Sequence, residues 1–339
     1  MNSRPAPPDS RWPHRLAVLL ACTTFPLIWV GGLVTTYDAG MAVPDWPGTY
    51  GYNLFLYPWQ TWLAGPWDLF IEHGHRLLGA LAGLLTIAVV WASYRGDQRR
   101  WLRYLAVVAL VAVIAQGCLG GARVLLNARL LAMLHGCLGP AFFGLCVALC
   151  GFTSPWWRTL PRDLTGSSTV WFDRLALSNL LATYVQLVLG AVLRHIPVGA
   201  SLTVFRATVY LHLALATVVT AHIVWLTWQV GRRRVTSPAL RWPVIGLDLL
   251  LVCQLILGCA TWVVNYWWPT WALDLGMAVQ YTTIEAKGWL QSSTATAHQA
   301  TGSLLLGLAV LVLLRSRRVL RAAVVADADR SVSGRGVIA

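Results

Sequence analysis

Long apolar stretches recur along the chain and are separated by short polar segments. Each stretch holds about 20 residues, which is the length an α-helix needs to cross the hydrocarbon core of a bilayer. We predict eight spans: 15–36, 72–94, 102–122, 131–152, 173–194, 207–230, 242–265 and 296–315. The pattern therefore predicts an all-α membrane protein with eight transmembrane helices.

The composition excludes several other classes of protein. Of the 339 residues, 57% are hydrophobic and only 12% are charged, whereas a soluble domain carries about 25% charged residues. A soluble globular protein and a disordered chain are therefore excluded. The net charge of +13 does not indicate a nucleic-acid partner, because the basic residues lie in short loops between the apolar spans. There they orient the chain and attract anionic lipid.

The arginines also predict the orientation in the membrane. Most of them lie before the first span, after the eighth, and in every second connection between them. Since cytoplasmic loops carry an excess of Lys and Arg, we expect both termini to be cytoplasmic. The basic N-terminus leads into a span without a small-residue cleavage site, so we do not expect a cleaved signal peptide. We expect a multi-pass protein of the cell inner (plasma) membrane.

The first four spans and the last four resemble two copies of one unit. Related segments end the third, fifth and seventh spans (Gln116-Gly-Cys-Leu-Gly, Gln186-Leu-Val-Leu-Gly and Gln254-Leu-Ile-Leu-Gly), and His135-Gly-Cys-Leu-Gly and His298-Gln-Ala-Thr-Gly open the fourth and eighth. Four spans are an even number, so the pattern predicts two parallel-oriented four-helix repeats. The expected parts are a cytoplasmic tail 1–14, an N-terminal half 15–152, a linker 153–172, a C-terminal half 173–316 and a basic cytoplasmic tail 317–339.

The predicted outer loop 37–70 has no Lys or Arg and is rich in aromatic residues. Tyrosine and tryptophan favour the membrane–water interface. We therefore predict that this loop lies on the outer surface and covers something beneath it. Its aromatic residues include Trp46, Tyr50, Tyr52, Phe55, Tyr57, Trp59, Trp62 and Trp67.

Four histidines share one position in the predicted topology. His75, His135, His212 and His298 each lie near the start of an even-numbered span, and even-numbered spans all begin on the outer side. Histidine inside a membrane is functional by default, and imidazole is a common haem-iron ligand. The pattern predicts two haem sites, His75 with His135 and His212 with His298. The alternative is four helix-end histidines bonded to interfacial water. Di-copper or di-iron sites would need further ligands, which are scarce here.

Acidic and basic residues accompany the first histidine pair. Glu72 precedes His75 by three residues, so both share a helix face. Glu72 could be a catalytic acid/base or charge stabiliser, a hydrogen-bond partner of a ligand histidine, or a helix-end charge. Arg76 and Arg123 lie on the outer side and suit haem propionates, although lipid contact or topology would also explain them.

Other polar residues and glycines have more ordinary interpretations. We expect His73 to be interfacial, His222 to be a packing residue with a proton relay as the alternative, and Asp248 to pack against a Trp or Gln. Small residues near the histidines would leave room for a flat macrocycle or allow close helix packing. They are Gly79, Gly83, Gly136, Gly139 and Gly302.

Two motifs carry a family resemblance. Glu72-His-Gly-His75-Arg76 resembles the ExxHR signature of the haem A synthase family, and Val43-Pro44-Asp45-Trp46-Pro47 resembles that family's PDWP motif in the first outer loop. His135, His212 and His298 fall where the family carries its other haem-ligand histidines. The family also has eight spans in two four-helix repeats. Some members carry a cysteine pair in the first outer loop; this chain has none there.

The resemblance implies an oxidoreductase that converts haem O to haem A for cytochrome oxidase. The C8 methyl group of haem O is oxidised to a formyl group by successive hydroxylations. His212 and His298 would hold haem b, His75 and His135 would bind haem O as substrate, and Glu72 would be catalytic. The implied partners are haem O synthase as the haem donor, an electron donor and membrane lipid, with room for a homo-oligomer.

Two rival functions remain at this point. A di-haem b electron-transfer protein, such as a quinol-oxidising cytochrome, would also carry four histidines. Such proteins usually place their haems at opposite depths, whereas all four histidines here share one depth. A transporter with parallel repeats would need broken helices and polar residues at the midplane, and these are few.

Overall fold

The computed structural model describes residues 10–159, 170–197, 199–232, 237–276 and 288–335, with side chains described up to residue 320 except at 271–272. Within these residues, eight helices are long and apolar enough to cross a membrane. We name them α1 Trp12–Thr36, α2 Trp67–Gly96, α3 Arg100–Leu125, α4 Arg129–Thr153, α5 Val170–Arg194, α6 Leu202–Gly231, α7 Pro238–Tyr266 and α8 Trp289–Arg335. The predicted all-α membrane class with eight spans is confirmed.

Every predicted span lies inside its helix, and the helices are longer than the apolar runs. Proline marks three of the beginnings, because Pro13 is the second residue of α1, Pro66 precedes α2 and Pro238 is the first residue of α7. Proline is tolerated there since the first turn of a helix has no internal acceptor for its N–H groups. The predicted tail 317–339 continues α8 as far as Arg335, because the sequence has no glycine or proline between 308 and 333 to end it.

The helices of each half close into the same ring of contacts. In the first half α1 packs against α2 and α4, and α3 packs against the same two helices. In the second half α5 packs against α6 and α8, and α7 against the same two. The halves meet through α1, α4, α5 and α8. This arrangement agrees with a four-helix repeat, which stays a prediction.

Each half has a hydrophobic core at the end of the bundle where the arginine-rich segments lie, which we call the basic end. Leu20, Leu102 and Leu149 are fully buried in the first half. Phe172 and Leu240 are fully buried in the second. Close packing of these side chains fills the basic end. The four histidines lie toward the opposite end, which we call the histidine end.

A buried aspartate ties the basic end of the first half together. The Asp97 carboxylate is only 2% exposed and accepts hydrogen bonds from Arg99 Nη2 at 2.6 Å and Arg158 Nη2 at 3.2 Å. Arg158 Nη2 also donates to the carbonyl of Ser10 at 3.4 Å, and the Ser10 N–H donates to the carbonyl of Gly96 at 3.3 Å. This Asp97 cluster therefore connects the start of α1, the α2–α3 turn and the segment after α4.

The connection between α1 and α2 covers the histidine end of the first half. It contains a 3-10 turn at Ala39–Met41, a bridge between Thr49 and Tyr52, and a short helix at Trp59–Leu63. The 3-10 turn packs against both α1 and α2. We call residues 37–66 the outer connection, and its placement agrees with the predicted covering loop.

Candidate functional site

The structure pairs the four histidines as the sequence predicted. The ring centres of His75 and His135 lie 6.2 Å apart with the rings at 86°. Those of His212 and His298 lie 6.4 Å apart with the rings at 62°. Each half thus holds one pair of facing imidazoles. Ligation of iron by these four residues stays a prediction.

Each of the four rings lies against a glycine of the preceding helix. A Cβ atom built on the glycine would lie 2.7 Å from the ring for Gly31 and His75, 3.1 Å for Gly120 and His135, 3.5 Å for Gly190 and His212, and 3.0 Å for Gly258 and His298. We call these four residues the supporting glycines. Any larger residue at the closest positions would displace the ring. The sequence signal for three of them was the recurring Gln-x-x-x-Gly spacing, whose purpose sequence analysis did not assign.

The two pairs fit a haem iron. A metal–imidazole bond is about 2 Å long and the ring nitrogen lies about 1 Å from the ring centre, so two rings on opposite sides of one metal have centres about 6 Å apart. The buried Nδ1 atoms of His75, His135 and His212 form no hydrogen bond within the described part of the chain. No group of three or more His, Cys, Asp or Glu comes together in that part either. Two imidazoles that no third ligand residue joins suit haem better than a bare metal cluster.

Glu72 is a buried, ion-paired carboxylate. Its side chain is 3% exposed, and its Oε1 accepts a hydrogen bond from Arg76 Nη2 at 2.8 Å. Its Oε2 accepts the backbone N–H of Val43 in the outer connection at 3.0 Å. A solvated helix-end charge, one of the three roles considered above, does not describe this environment. The carboxylate is instead held between its own helix and the outer connection.

Arg76 fastens the outer connection to α2. Its Nη1 donates to the carbonyl oxygens of Asp45 and Gly48, both at 2.6 Å, and its Nη2 donates to that of Val43 at 2.7 Å. Charge-assisted bonds of this kind are stronger than neutral ones. The two motifs that carry the resemblance, one in the outer connection and one in α2, therefore bind each other directly.

Asp45 and Trp46 complete this contact. The Asp45 carboxylate accepts the backbone N–H groups of Tyr50 at 2.8 Å and Gly51 at 2.9 Å, which closes the turn. Burial alone raises the pKa of Asp45, but the two N–H groups and the Arg76 charge outweigh it and hold the pKa below its usual range. The Trp46 ring lies directly on Gly121 of α3, where a side chain could not be accommodated. The outer connection thus reaches α3 as well as α2.

Two more arginines connect elements at the histidine end. Arg123 of α3 donates from Nη2 to the carbonyl of Gly40 at 2.7 Å. Arg194, at the end of α5, donates to the carbonyl of Gly32 in α1 at 2.5 Å and to the side chain of Gln299 in α8. Gln299 follows the ligand candidate His298. Arg194 therefore joins the two halves next to the second histidine pair.

His73 is buried rather than interfacial. It is 2% exposed, its Nδ1 lies 2.9 Å from Thr49 Oγ1, and its ring packs against Tyr57 and Trp62. The expectation was wrong because the outer connection folds back over the start of α2. His73 helps to hold that connection in place.

Three further residues considered in the sequence analysis, Asp248, His222 and Gly302, lie within the membrane-spanning helices. Asp248 accepts a hydrogen bond from Thr227 Oγ1 at 2.7 Å, a partner that sequence analysis did not name. His222 Nε2 lies 3.5 Å from Ser178 Oγ in a lipid-facing groove between α5 and α6. A Cβ at Gly302 would lie 2.9 Å from Leu187, so this glycine serves close helix packing.

Sequence analysis missed one polar residue near the first pair. His195 directly follows α5. Its Nε2 lies 3.9 Å from the position that a Cβ atom of Gly136 would take, and Gly136 is the residue after His135. Burial, followed by the charges of Arg194, Arg123 and Arg129, lowers the pKa of His195 to about 4. It is therefore neutral at pH 7. Nothing in its local sequence distinguished it.

Comparison with known proteins finds one matching family and several similar proteins that share one name. A model of the COX15-CtaA family, described as cytochrome oxidase assembly protein, matches residues 66–284. A haem A synthase of Shouchella clausii is 32% identical over 124 residues, which are 36% of this chain and 39% of the relative. That of Symbiobacterium thermophilum is 37% identical over 113 residues, 32% of this chain and 34% of the relative. That of Rhizobium rhizogenes is 32% identical over 155 residues, 43% and 41% of the two chains.

These alignments span between 34% and 41% of the length of the three relatives. The family match is broader, since residues 66–284 include the first histidine pair, Glu72, Arg76 and His212. It covers well over half of the 339 residues and contains both the buried carboxylate and three of the four paired histidines. The chain therefore belongs to the COX15-CtaA family of cytochrome oxidase assembly proteins.

Proposed function

We propose that this protein is a haem A synthase, an oxidoreductase that converts the C8 methyl group of haem O into the formyl group of haem A. The observation that carries the proposal is the presence of two facing imidazole pairs at one end of the bundle, with ring centres 6.2 and 6.4 Å apart. Family membership and the names of the relatives support the same activity.

The two sites would have different tasks. We assign haem O to His75 and His135, because the buried carboxylate Glu72 and the outer connection lie beside that pair. We assign haem b to His212 and His298. When bound, haem b would supply one-electron transfer. His212 and His298 of the second half would hold that group with their imidazoles. Arg194 lies beside this pair and binds Gln299, the residue after His298.

Glu72 would stabilise the charge that develops when the methyl group is oxidised. Oxidation of a methyl to a formyl group removes four electrons, and two successive hydroxylations followed by loss of water give that outcome. A carbon that loses electrons develops positive charge, which a fixed carboxylate stabilises in a site that excludes water. Glu72 is fixed by Arg76 and by the Val43 N–H, so it needs little reorganisation. It could also take up a proton released from the substrate.

The two arginines near this site would have separate roles. Arg76 uses both terminal nitrogens on the outer connection and Glu72. We therefore assign it to holding the loop and the carboxylate. Arg123 donates from Nη2 to Gly40, and its hydrogen bonds in the described structure leave Nε and Nη1 for a haem propionate. Guanidinium groups bind carboxylates well in this manner.

The test is to incubate purified protein with haem O and a reductant in air, then to identify the haems by chromatography and mass. We expect hydroxylated intermediates and haem A. Glu72→Ala should abolish conversion while leaving haem b bound. Asp68→Ala, which removes an acid one turn earlier in the same helix, should convert normally. Haem O recovered unchanged, alongside two bound haems b, would refute the proposal and favour the di-haem electron-transfer protein.

A further inference from the structure

The four ligand candidates differ in one neighbouring position. Four residues before the supporting glycine, α3, α5 and α7 carry Gln116, Gln186 and Gln254. The first helix carries Leu27 at the same spacing from Gly31. An amide is thus present beside three of the histidines and absent beside His75.

Each glutamine contacts the histidine that its helix supports. The side-chain amide donates to the backbone carbonyl of the histidine at 3.4 Å for Gln116 and His135 and at 3.0 Å for Gln186 and His212. In the fourth case Gln254 Nε2 lies 3.4 Å from His298 Nε2, and the Nδ1 of His298 lies 3.2 Å from the Gln254 carbonyl. These contacts hold the histidine against the neighbouring helix.

The glutamines also offer an unused acceptor. The Oε1 atoms of Gln116, Gln186 and Gln254 are buried and form no hydrogen bond within the described part of the chain. The Nδ1 atoms of His75, His135 and His212 form no hydrogen bond there either, and of these three histidines only His135 and His212 have a glutamine at the supporting position. A ligand imidazole normally donates its free ring N–H to such an acceptor, which fixes the ring and makes it a better ligand.

The Leu27 side chain makes none of the side-chain contacts of the glutamines, because it has no hydrogen-bonding atom. It packs instead 4.0 Å from the position of a Cβ at Gly79, one turn beyond His75. The backbone carbonyl of Leu27 lies beside the His75 ring, as that of Gln116 lies beside His135. The difference between the positions is therefore confined to the side chain.

We propose that Leu27 makes His75 the releasable ligand of the substrate haem, whereas the three glutamine-supported histidines remain attached. This inference rests on the proposed function, which requires haem O to enter one site and haem A to leave it. The site in the first half then has one ligand that stays bound to the haem, His135, and one that can dissociate from it, His75. The site in the second half has two fixed ligands and retains its haem. Leu27 is a positioning residue, since it acts only through His75.

The test measures release of each haem to excess apomyoglobin from protein loaded with haem O and haem b, which chromatography separates. Leu27→Gln should slow release of haem O about tenfold or more, the size of effect that such partners have on metal-ligating histidines. Leu27→Met, which keeps the volume and has no amide, should release haem O at the parent rate. The reverse change, Gln186→Leu, should speed release of haem b by a similar factor.

Carbon monoxide binding to the reduced protein supplies a second readout, because it requires a vacated position on iron. It should fall in Leu27→Gln and appear at haem b in Gln186→Leu. Unchanged release and carbon monoxide binding in Leu27→Gln would overturn the inference, as would loss of haem O binding in that variant while Leu27→Met binds it. Failure of the parent protein to convert bound haem O would refute the proposed function, and the release rates would still decide the role of Leu27.

Discussion

Replacing Arg76 with methionine should release the outer connection from the bundle. The guanidinium donates four hydrogen bonds at 2.6 to 2.8 Å, three to loop carbonyls and one to Glu72. Methionine keeps part of the apolar stem and removes every donor. The change therefore tests the electrostatic attachment with little loss of packing.

The expected loss of free energy follows from the groups that lose their partner when Arg76 is removed. A hydrogen bond to a charged group contributes about 1.5–3 kcal/mol, and removing one partner of a buried ion pair costs about 3–5 kcal/mol because the other charge stays buried. These losses overlap, so we take about 3–5 kcal/mol as the total. At about 1.4 kcal/mol per factor of ten, local opening of the outer connection should become roughly 10²- to 4 × 10³-fold more frequent.

Amide hydrogen exchange of the purified protein measures this opening directly. Peptides from 37–66 should lose protection in Arg76→Met, while peptides from the core around Leu226 keep theirs as the internal control. Adding Glu72→Gln should recover part of the loss, because it removes the unpaired charge. Protection of the loop within tenfold of the parent would refute the reasoning, and so would a double variant whose loss equals the sum of the single losses.

Three further outcomes are expected. His212→Ala should lose haem b and its low-spin absorption spectrum, and an unchanged spectrum would contradict the assignment of the second half. Gly258→Ala should weaken haem b binding about tenfold or more and more than Gly190→Ala, because the added Cβ would lie 3.0 Å rather than 3.5 Å from the ring. Since the folded-state pKa of Asp45 is below its usual range, its stabilising effect is complete above about pH 3.9 and is lost as the pH falls through the lower value. The protection factor of the Gly51 amide, which compares its exchange rate with that of a free peptide at the same pH, should then fall in acid, and Asp45→Asn should remove this pH dependence.

The helices and the histidine pairs were predictable because the signals are local and regular. An apolar run of about 20 residues specifies a span almost by itself. The positions of His75, His135, His212 and His298 relative to those runs then fix a common depth. The pairing followed because each predicted half contains two of the four histidines. The structure places the rings in these pairs.

The surroundings of the site were less predictable because they depend on contacts between distant parts of the chain. The Val43 N–H reaches Glu72 across 29 residues, and Arg123 reaches Gly40 across 83. An irregular loop has no periodic pattern from which such partners can be read. The burial of His73 follows from the same folded-back loop. Asp248 illustrates the point inside the membrane, where its partner Thr227 lies on another helix.

The Asp97 cluster has a consequence for the order in which the chain is assembled. Arg158 bonds to Asp97 and to Ser10, residues 61 and 148 positions earlier. All of these residues precede α5 in the chain, so the contacts of the cluster described here need no residue of the second half. The first half can therefore close at its basic end without the second half, and its histidine pair can form before the second half is in place. The second half would then be added against an already closed surface of α1 and α4.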